Sequence, residues 1–337
     1  NISRHILQPR DIMKPKASCI KKHFEGIVGT KIWSIDKNVM CLSPNEEKVA
    51  FDNTDLIVDA STSIAVERKP ALSKYEGKRK CTLFLNPKGN DLVLLLEDTN
   101  GEQRLDLLEM SYQYNLIKSD TLANHLDTAE QRKTNNFSCR SESNVLDYDN
   151  VGMLASVASQ QIQRATSNTD CQLGIWRVND NDSTISKVNL DVLSWNVKVI
   201  NNISVYYSKE LVAEIDKYRN SDLRKETGGC LFGCYDKDAR NIYVFYQHHA
   251  PKDSKCSATF FERGCNGMND VLDKINKRTY HQVRYLGEWH SHPNACCSPS
   301  SLDKEQFTKM SEQMSDEDLP FVQLIMGTNG IYLNAIM

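Results

Sequence analysis

Apolar positions in the first half of the chain fall into short, separated patterns. From Asp11 to Phe24 they recur at Ile12, Cys19, Ile20 and Phe24, which predicts a helix. Leu56-Ile57-Val58 is a strand-sized run that ends at Asp59-Ala60-Ser61-Thr62. Cys81–Leu85 and Leu92–Leu96 predict two strands around the turn Asn86-Pro87-Lys88-Gly89-Asn90. Residues 118–150 are polar with few apolar anchors, and Thr134-Asn135-Asn136 and Ser141-Glu142-Ser143-Asn144 read as loop. Val151, Leu154, Ala155, Ala158 and Ile162 then share one helical face. Alternating strands and helices predict an α/β first half.

Val178-Asn179-Asp180-Asn181-Asp182-Ser183 reads as a turn or linker. The change of domain is expected between 180 and 195, dividing the chain into 1–185 and 186–337. The second half opens with a strand from Trp195 to Ile203. Ser208 can cap a helix carrying Leu211, Ile215 and Tyr218. Strands are predicted at Gly229–Tyr235 and Ile242–Gln247, and Leu272 and Ile275 mark a further helix. Val283, Tyr285 and Trp289 alternate with Arg284, Glu288 and His290, a strand pattern. Ser300 begins a helix, and Thr328-Asn329-Gly330 between two apolar runs is a hairpin signal.

A length of 337 residues suits about two domains. With 40% hydrophobic and 25% charged residues, each half can bury a core, so global disorder is excluded as a description. Net charge is −3, which gives no general reason to expect nucleic acid or an anionic membrane as partner. No apolar run approaches the roughly 20 residues of a membrane-spanning helix. Eleven cysteines, an odd and scattered set, read as reduced thiols in a cytoplasm. Asn1-Ile2-Ser3-Arg4-His5 is no signal peptide and has no initiator Met, so the chain is expected to begin partway through a longer polypeptide.

The densest chemistry lies in Gly287-Glu288-Trp289-His290-Ser291-His292-Pro293 and Ser300-Ser301-Leu302-Asp303. In a strand, positions i and i+2 point the same way, so His290 and His292 present two imidazoles to one side. The seven-residue loop that follows returns Ser300 and Asp303 to them. Two imidazoles and one carboxylate leave a fourth position open, the pattern of a catalytic zinc. Glu226 is the candidate general base, with Glu288 a rival base or ligand. Ser300 can support an oxyanion. Blander readings compete. Ser300-x-x-Asp303 is also a capping-box variant, so Asp303 can stabilise a helix start as well as, or instead of, binding metal. Cys230, Cys234, Cys256, Cys265, Cys296 and Cys297 form no C-x-x-C pair, which argues against a structural zinc.

Glu226-Thr227-Gly228-Gly229, then His290-Ser291-His292-Pro293-x6-Ser300-x-x-Asp303, resembles the JAMM (MPN-plus) metalloprotease signature over about 195–337. The resemblance implies an α+β domain with a mixed sheet flanked by helices. It further implies a zinc isopeptidase acting on ubiquitin-like proteins or their conjugates. Carried over, His290, His292 and Asp303 are zinc ligands, Glu226 acts on water and Ser300 assists the oxyanion. Phe260–Gly264 and Tyr285–Trp289 resemble bacterial members, including those of ubiquitin-like conjugation operons used in phage defence. A Gly-rich substrate tail is expected to bind extended, as an added strand.

In the first half, Asn1-Ile2-Ser3-Arg4, Lys14-Pro15-Lys16-Ala17 and Asp55–Ala60 resemble the later part of a Rossmann-like, ThiF-type ubiquitin-activating adenylation domain. That likeness implies ATP contacts at Arg4 and Lys16 and magnesium at Asp59. Thr62 stands where the family has a second Asp, and no Gly-rich phosphate loop is present. Cys139, beside Arg140 in a polar loop, is a candidate thioester cysteine. The resemblance also implies a conjugating enzyme as partner and pairing of two copies through this half. Two alternatives stand beside the fusion of activation and deconjugation: processing of a sulfur-carrier protein, and a scaffold without catalysis.

Overall fold

Two β-sheets organise the chain in the computed structural model, which describes residues 7, 9–61, 66, 78–127, 146–179 and 181–337. The first half contains α1 (Lys16–Val28), α2 (Pro44–Phe51), β1 (Leu56–Asp59), β2 (Arg79–Leu85), β3 (Asp91–Leu96), α3 (Leu105–Lys118), α4 (Tyr148–Ala165), β4 (Gln172–Val178) and β5 (Ile185–Asn189). The second contains β6 (Trp195–Ile200), β7 (Ile203–Ser208), α5 (Lys209–Ser221), β8 (Gly228–Asp236), β9 (Asn241–His249), β10 (Lys255–Ser257) and β11 (Phe260–Glu262). It ends with α6 (Met268–Thr279), β12 (Arg284–Ser291), α7 (Ser301–Asp316), β13 (Phe321–Gly327) and β14 (Gly330–Ile336). No helix among the described residues is long and apolar enough to cross a membrane.

Helix α1 starts five residues later than the apolar spacing predicts, because Pro15 precedes it and is not accommodated inside a helix. It stops at Gly29, whose left-handed φ of 66° lets its N–H return to the Glu25 carbonyl. The first sheet has the order β1-β2-β3-β4-β5. Only β1 and β2 pair in parallel, and the other three pairs are antiparallel. The turns at 86–90 and 179–184 are too short for a parallel crossover, which needs a dozen or more residues. The first sheet is therefore mixed and mostly antiparallel. β5, at 185–189, still belongs to this sheet, and β6, at 195, opens the next, so the change of sheet falls at 190–194.

The second sheet has seven strands in the order β14-β13-β12-β8-β9-β7-β6 and is mixed. β12 pairs parallel with β13 and antiparallel with β8, which makes it a central strand. β7, outside the predicted strands, separates β6 from β9 and pairs parallel with β9.

Layering follows from α3. Twelve of its fourteen residues are buried, so it has no solvent face. Leu105, Leu108, Tyr112 and Leu116 pack on Val93, Leu95 and Ile175 of the first sheet. Leu107, Met110 and Ile117 pack on Phe232, Phe245, Met268 and Ile275 of the second half. α4 covers the opposite face of the first sheet through Leu154, Ala158 and Ala165, and α5 covers the opposite face of the second through Leu211 and Ile215.

Polar contacts reinforce the junction. The Asp106 carboxylate accepts from Arg104 Nη2 at 2.6 Å and from the Tyr243 hydroxyl at 2.8 Å. Arg278 of α6 donates to the Ile117 carbonyl at 2.7 Å, satisfying an acceptor that the end of α3 leaves open. The connecting segment is itself anchored: Leu193 N donates to Ser111 Oγ at 3.1 Å, and Asn115 donates to the Asp191 carbonyl at 2.8 Å.

Candidate metal centre

The site assembles where β12 ends. Its register shifts against β8 between Tyr285 and Gly287, and Gly287 has φ +151°. A Cβ there would lie 1.9 Å from the Val322 carbonyl oxygen, so only glycine permits this close passage of β12 along β13. Three residues on, the pairing is regular again, with His290 opposite Ile325. His292 N donates to the Met326 carbonyl at 2.8 Å, carrying the alignment past the end of the strand. The two imidazole centroids come within 5.2 Å.

Ser300 caps α7 and Asp303 occupies its third position, in a reciprocal box. Ser300 N donates to Asp303 Oδ2 at 2.7 Å, and Asp303 N donates to Ser300 Oγ at 3.2 Å. The capping role read from this spacing is present. The box turns the carboxylate toward the imidazoles, with Oδ1 3.2 Å from His290 Nε2 and Oδ2 3.5 Å from His292 Nε2. One ligand atom from each of the three residues lies within 4.8 Å of the others, the single such group among the described residues.

His290 Nε2 is buried and makes no aligned hydrogen bond, despite its nearness to Asp303. His292 Nδ1 lies 2.8 Å from the Cys296 carbonyl. Donation of Nδ1–H to that oxygen leaves the Nε2 lone pair available, the usual orientation of a metal-binding imidazole. An orphaned nitrogen, an oriented second imidazole and a carboxylate fit one divalent ion with an open position. Burial opposes the Asp303 charge, but His290 and Ser300 outweigh it and hold the carboxyl below its ordinary range.

Glu226, 8% exposed, precedes β8 and is tied by its N–H to the Ser257 carbonyl at 2.7 Å. Burial pushes its carboxyl above the usual range, His290 and His292 pull it down, and Asp303 pushes it up. Next to it, Gly228 lets Phe261 of the β10–β11 hairpin pass over the sheet, since a Cβ would lie 2.3 Å from that ring.

Glu288 is committed elsewhere. It accepts from Arg263 Nε at 2.8 Å, the Tyr285 hydroxyl at 3.3 Å and Gln306 Nε2 at 3.4 Å, and it stands outside the ligand group. Its ion pair with Arg263 corrects the rival role the sequence allowed. Arg219, which the sequence reading missed, donates from α5 to the His292 and Pro293 carbonyls at 3.2 and 2.6 Å. An arginine in a helix's last turn looks like a solvated residue, and nothing local signals these partners. Asn329, in the β13–β14 turn, accepts from Cys297 N at 2.9 Å and steadies the loop after Pro293.

In the first half, Lys16 is the exposed first residue of α1, and Asp59 ends β1 with Oδ1 accepting from Ser61 N at 2.8 Å. Arg4 and Cys139 lie outside the described residues. The ten described cysteines are free thiols.

Residues 208–333 match the family of prokaryotic homologs of the JAB domain. The chain is similar to a CD-NTase/cGAS isopeptidase of Enterobacter hormaechei subsp. hoffmannii, 32% identical over 102 residues, which are 30% of this chain and 55% of that protein. It thus spans about half the length of that relative. A protein of the same name from Pseudomonas aeruginosa is 25% identical over 139 residues, 40% of this chain and 85% of its own. A solution structure from Desulfitobacterium hafniense covers 39% of this chain and 90% of its own, at 18% identity and a TM-score of 0.25. Residues 208–333 are thus similar to JAB domains, and the mixed sheet with flanking helices in the second half is consistent with that family.

Proposed function

We propose that this chain is a zinc-dependent isopeptidase that cleaves after the C-terminal glycine of a ubiquitin-like protein. The observation that carries the reading is the convergence of His290, His292 and Asp303, with one possible ligand atom from each within 4.8 Å of the others. The relatives named CD-NTase/cGAS isopeptidase support the reaction class and suggest a conjugate of a CD-NTase/cGAS-type protein as substrate, in bacterial defence.

His290, His292 and Asp303 would hold the ion. Zinc, when bound, acidifies water and polarises a carbonyl. Glu226 takes the proton of the attacking water and passes it to the leaving amine, and burial brings its basicity closer to the working pH. Ser300 Oγ accepts from Asp303 N and keeps its own proton to donate to the developing oxyanion. The substrate tail lies extended beside β12, under the hairpin that carries Phe261.

For the first half the proposal is narrower: an activating-enzyme-like domain in which Lys16 and Asp59 contact ATP and magnesium. Its support is the sequence motif alone.

Elemental analysis tests the metal. About one zinc per chain is expected in the wild type, and none in His292→Ala with unchanged circular dichroism. No zinc in the wild type after reconstitution would overturn the reading. Hydrolysis of an isopeptide-linked, Gly-Gly-ended conjugate tests the reaction, with cleavage expected from the wild type and not from Glu226→Gln.

A further inference from the structure

A second cleft opens in the first half, at the end of the sheet where β2 turns into β3 and β4 into β5. Its volume is about 550 Å³, within the range of small-molecule sites. The floor is a network of buried charge. Asp91 accepts from Arg177 Nε at 2.8 Å and Nη2 at 2.7 Å, and lies 2.6 Å from His125 Nδ1. His125 Nε2 lies 2.9 Å from the Tyr112 hydroxyl. Asp91 and His125 are 1% and 2% exposed. The Arg177 side chain is 31% exposed and lines the cleft.

Charge and hydrogen-bond accounting indicates what would sit there. The two acids on the walls are both compensated: Asp91 by Arg177, and Asp120 by Arg278 at 2.6 Å. Lys88, exposed on the lip, has no ion pair among the described residues, and because Arg278 neutralises Asp120 from outside the cleft, one positive charge is left over. A guanidinium has five N–H groups. Arg177 commits two to Asp91 and one to the Thr121 carbonyl at 3.1 Å, which leaves two. The side-chain amides of Asn90, Asn124, Asn179 and Asn181 also line the cleft, and among the described residues their N–H groups donate to nothing. One cation on these walls has no acidic partner among the described residues. Nothing in the metal centre or its mechanism uses this network.

We propose that the cleft binds a phosphate-bearing small molecule, with phosphate oxygens on the free edge of Arg177 and on Lys88. A planar guanidinium already fixed by a buried carboxylate offers an oxyanion preorganised donors at little entropic cost. Asp91 and His125 then act as positioning residues that hold Arg177 from behind.

Calorimetric titration with inorganic phosphate and with adenosine 5′-monophosphate tests this, on the full chain and on full-length His292→Ala. Saturable binding is expected in both, and in both it weakens tenfold or more when Lys88→Glu and Asn181→Asp are combined. These two side chains are exposed and outside the buried network, so the double variant keeps the fold. Equal affinity for the two probes identifies free phosphate as sufficient, and tighter monophosphate binding identifies an ester. No saturable binding of either probe overturns the proposal. So does binding that the double variant leaves unchanged, or that vanishes in a folded His292→Ala, which would assign it to the metal centre. Zinc content is read separately, so failure here leaves the isopeptidase reading untouched.

Discussion

Substituting Gln for Glu226 keeps the shape of the side chain but removes its ability to carry a proton. General-base catalysis contributes roughly 10²–10⁴-fold, so kcat is expected to fall by that order while zinc content stays constant. Burial raises the carboxyl above its ordinary range, and the base must be ionised to work. At Asp91 the sign is opposite. Burial alone would raise its carboxyl, but Arg177 and His125 prevail and hold it low. A depressed folded pKa contributes stability above the unfolded value, about 3.9, that is lost as pH falls through the folded one. Asp91→Asn strands Arg177 and should cost about 3–5 kcal/mol near neutrality. Urea midpoints across pH should show that gap closing below about pH 4.

Single elements carry the candidate ligands, and their turns and caps decide whether those side chains meet. Gly287→Ala forces a Cβ against the Val322 carbonyl at a φ that L residues rarely adopt. Overpacking of this kind costs about 1–3 kcal/mol, and a rigid backbone neighbour puts it at the upper end. Since β12 also aims His290, zinc per chain should fall together with thermal stability. Ser300→Ala removes half of the box at the start of α7. A loss of about 1 kcal/mol is expected from thermal unfolding, with zinc retained, because the Ser300 backbone N–H still holds the Asp303 carboxylate. These devices were legible locally. The H-S-H-P run, the S-x-x-D spacing and the Thr328-Asn329-Gly330 turn are patterns of near neighbours, and each recurs in the structure as a strand end, a cap and a hairpin. Helix α3 was not legible. Its buried residues include Asp106, Glu109, Ser111, Gln113 and Asn115 beside the apolar ones, so a 3.6-residue period offers no contrast to read.

Because α3 serves both sheets, the molecule should unfold as one unit. Leu108 faces the first sheet and Met110 the second half. Leu108→Ala and Met110→Ala should each cost about 2–5 kcal/mol and move the same calorimetric transition. Two separable transitions would refute the shared core. Residues 191–337 expressed alone would expose the surface around Phe232 and Phe245 that α3 covers, and should aggregate or bind a hydrophobic dye.

The sequence by itself determined most of the local elements and the candidate set His290, His292, Asp303 and Glu226, because helical spacing, turn residues and residue type depend on near neighbours. Only the tertiary structure decided which groups are spent and which are free. Glu288 is taken by Arg263, Arg219 braces the loop after His292, and Asp91 is bonded to Arg177 and His125 far along the chain. It also decided that the first sheet is mostly antiparallel and that α3 is common to two cores. The physical reason is range: a side chain's partner in a packed interior is set by the register of strands and the docking of helices, which bring together residues more than a hundred positions apart, as with Asp106 and Tyr243.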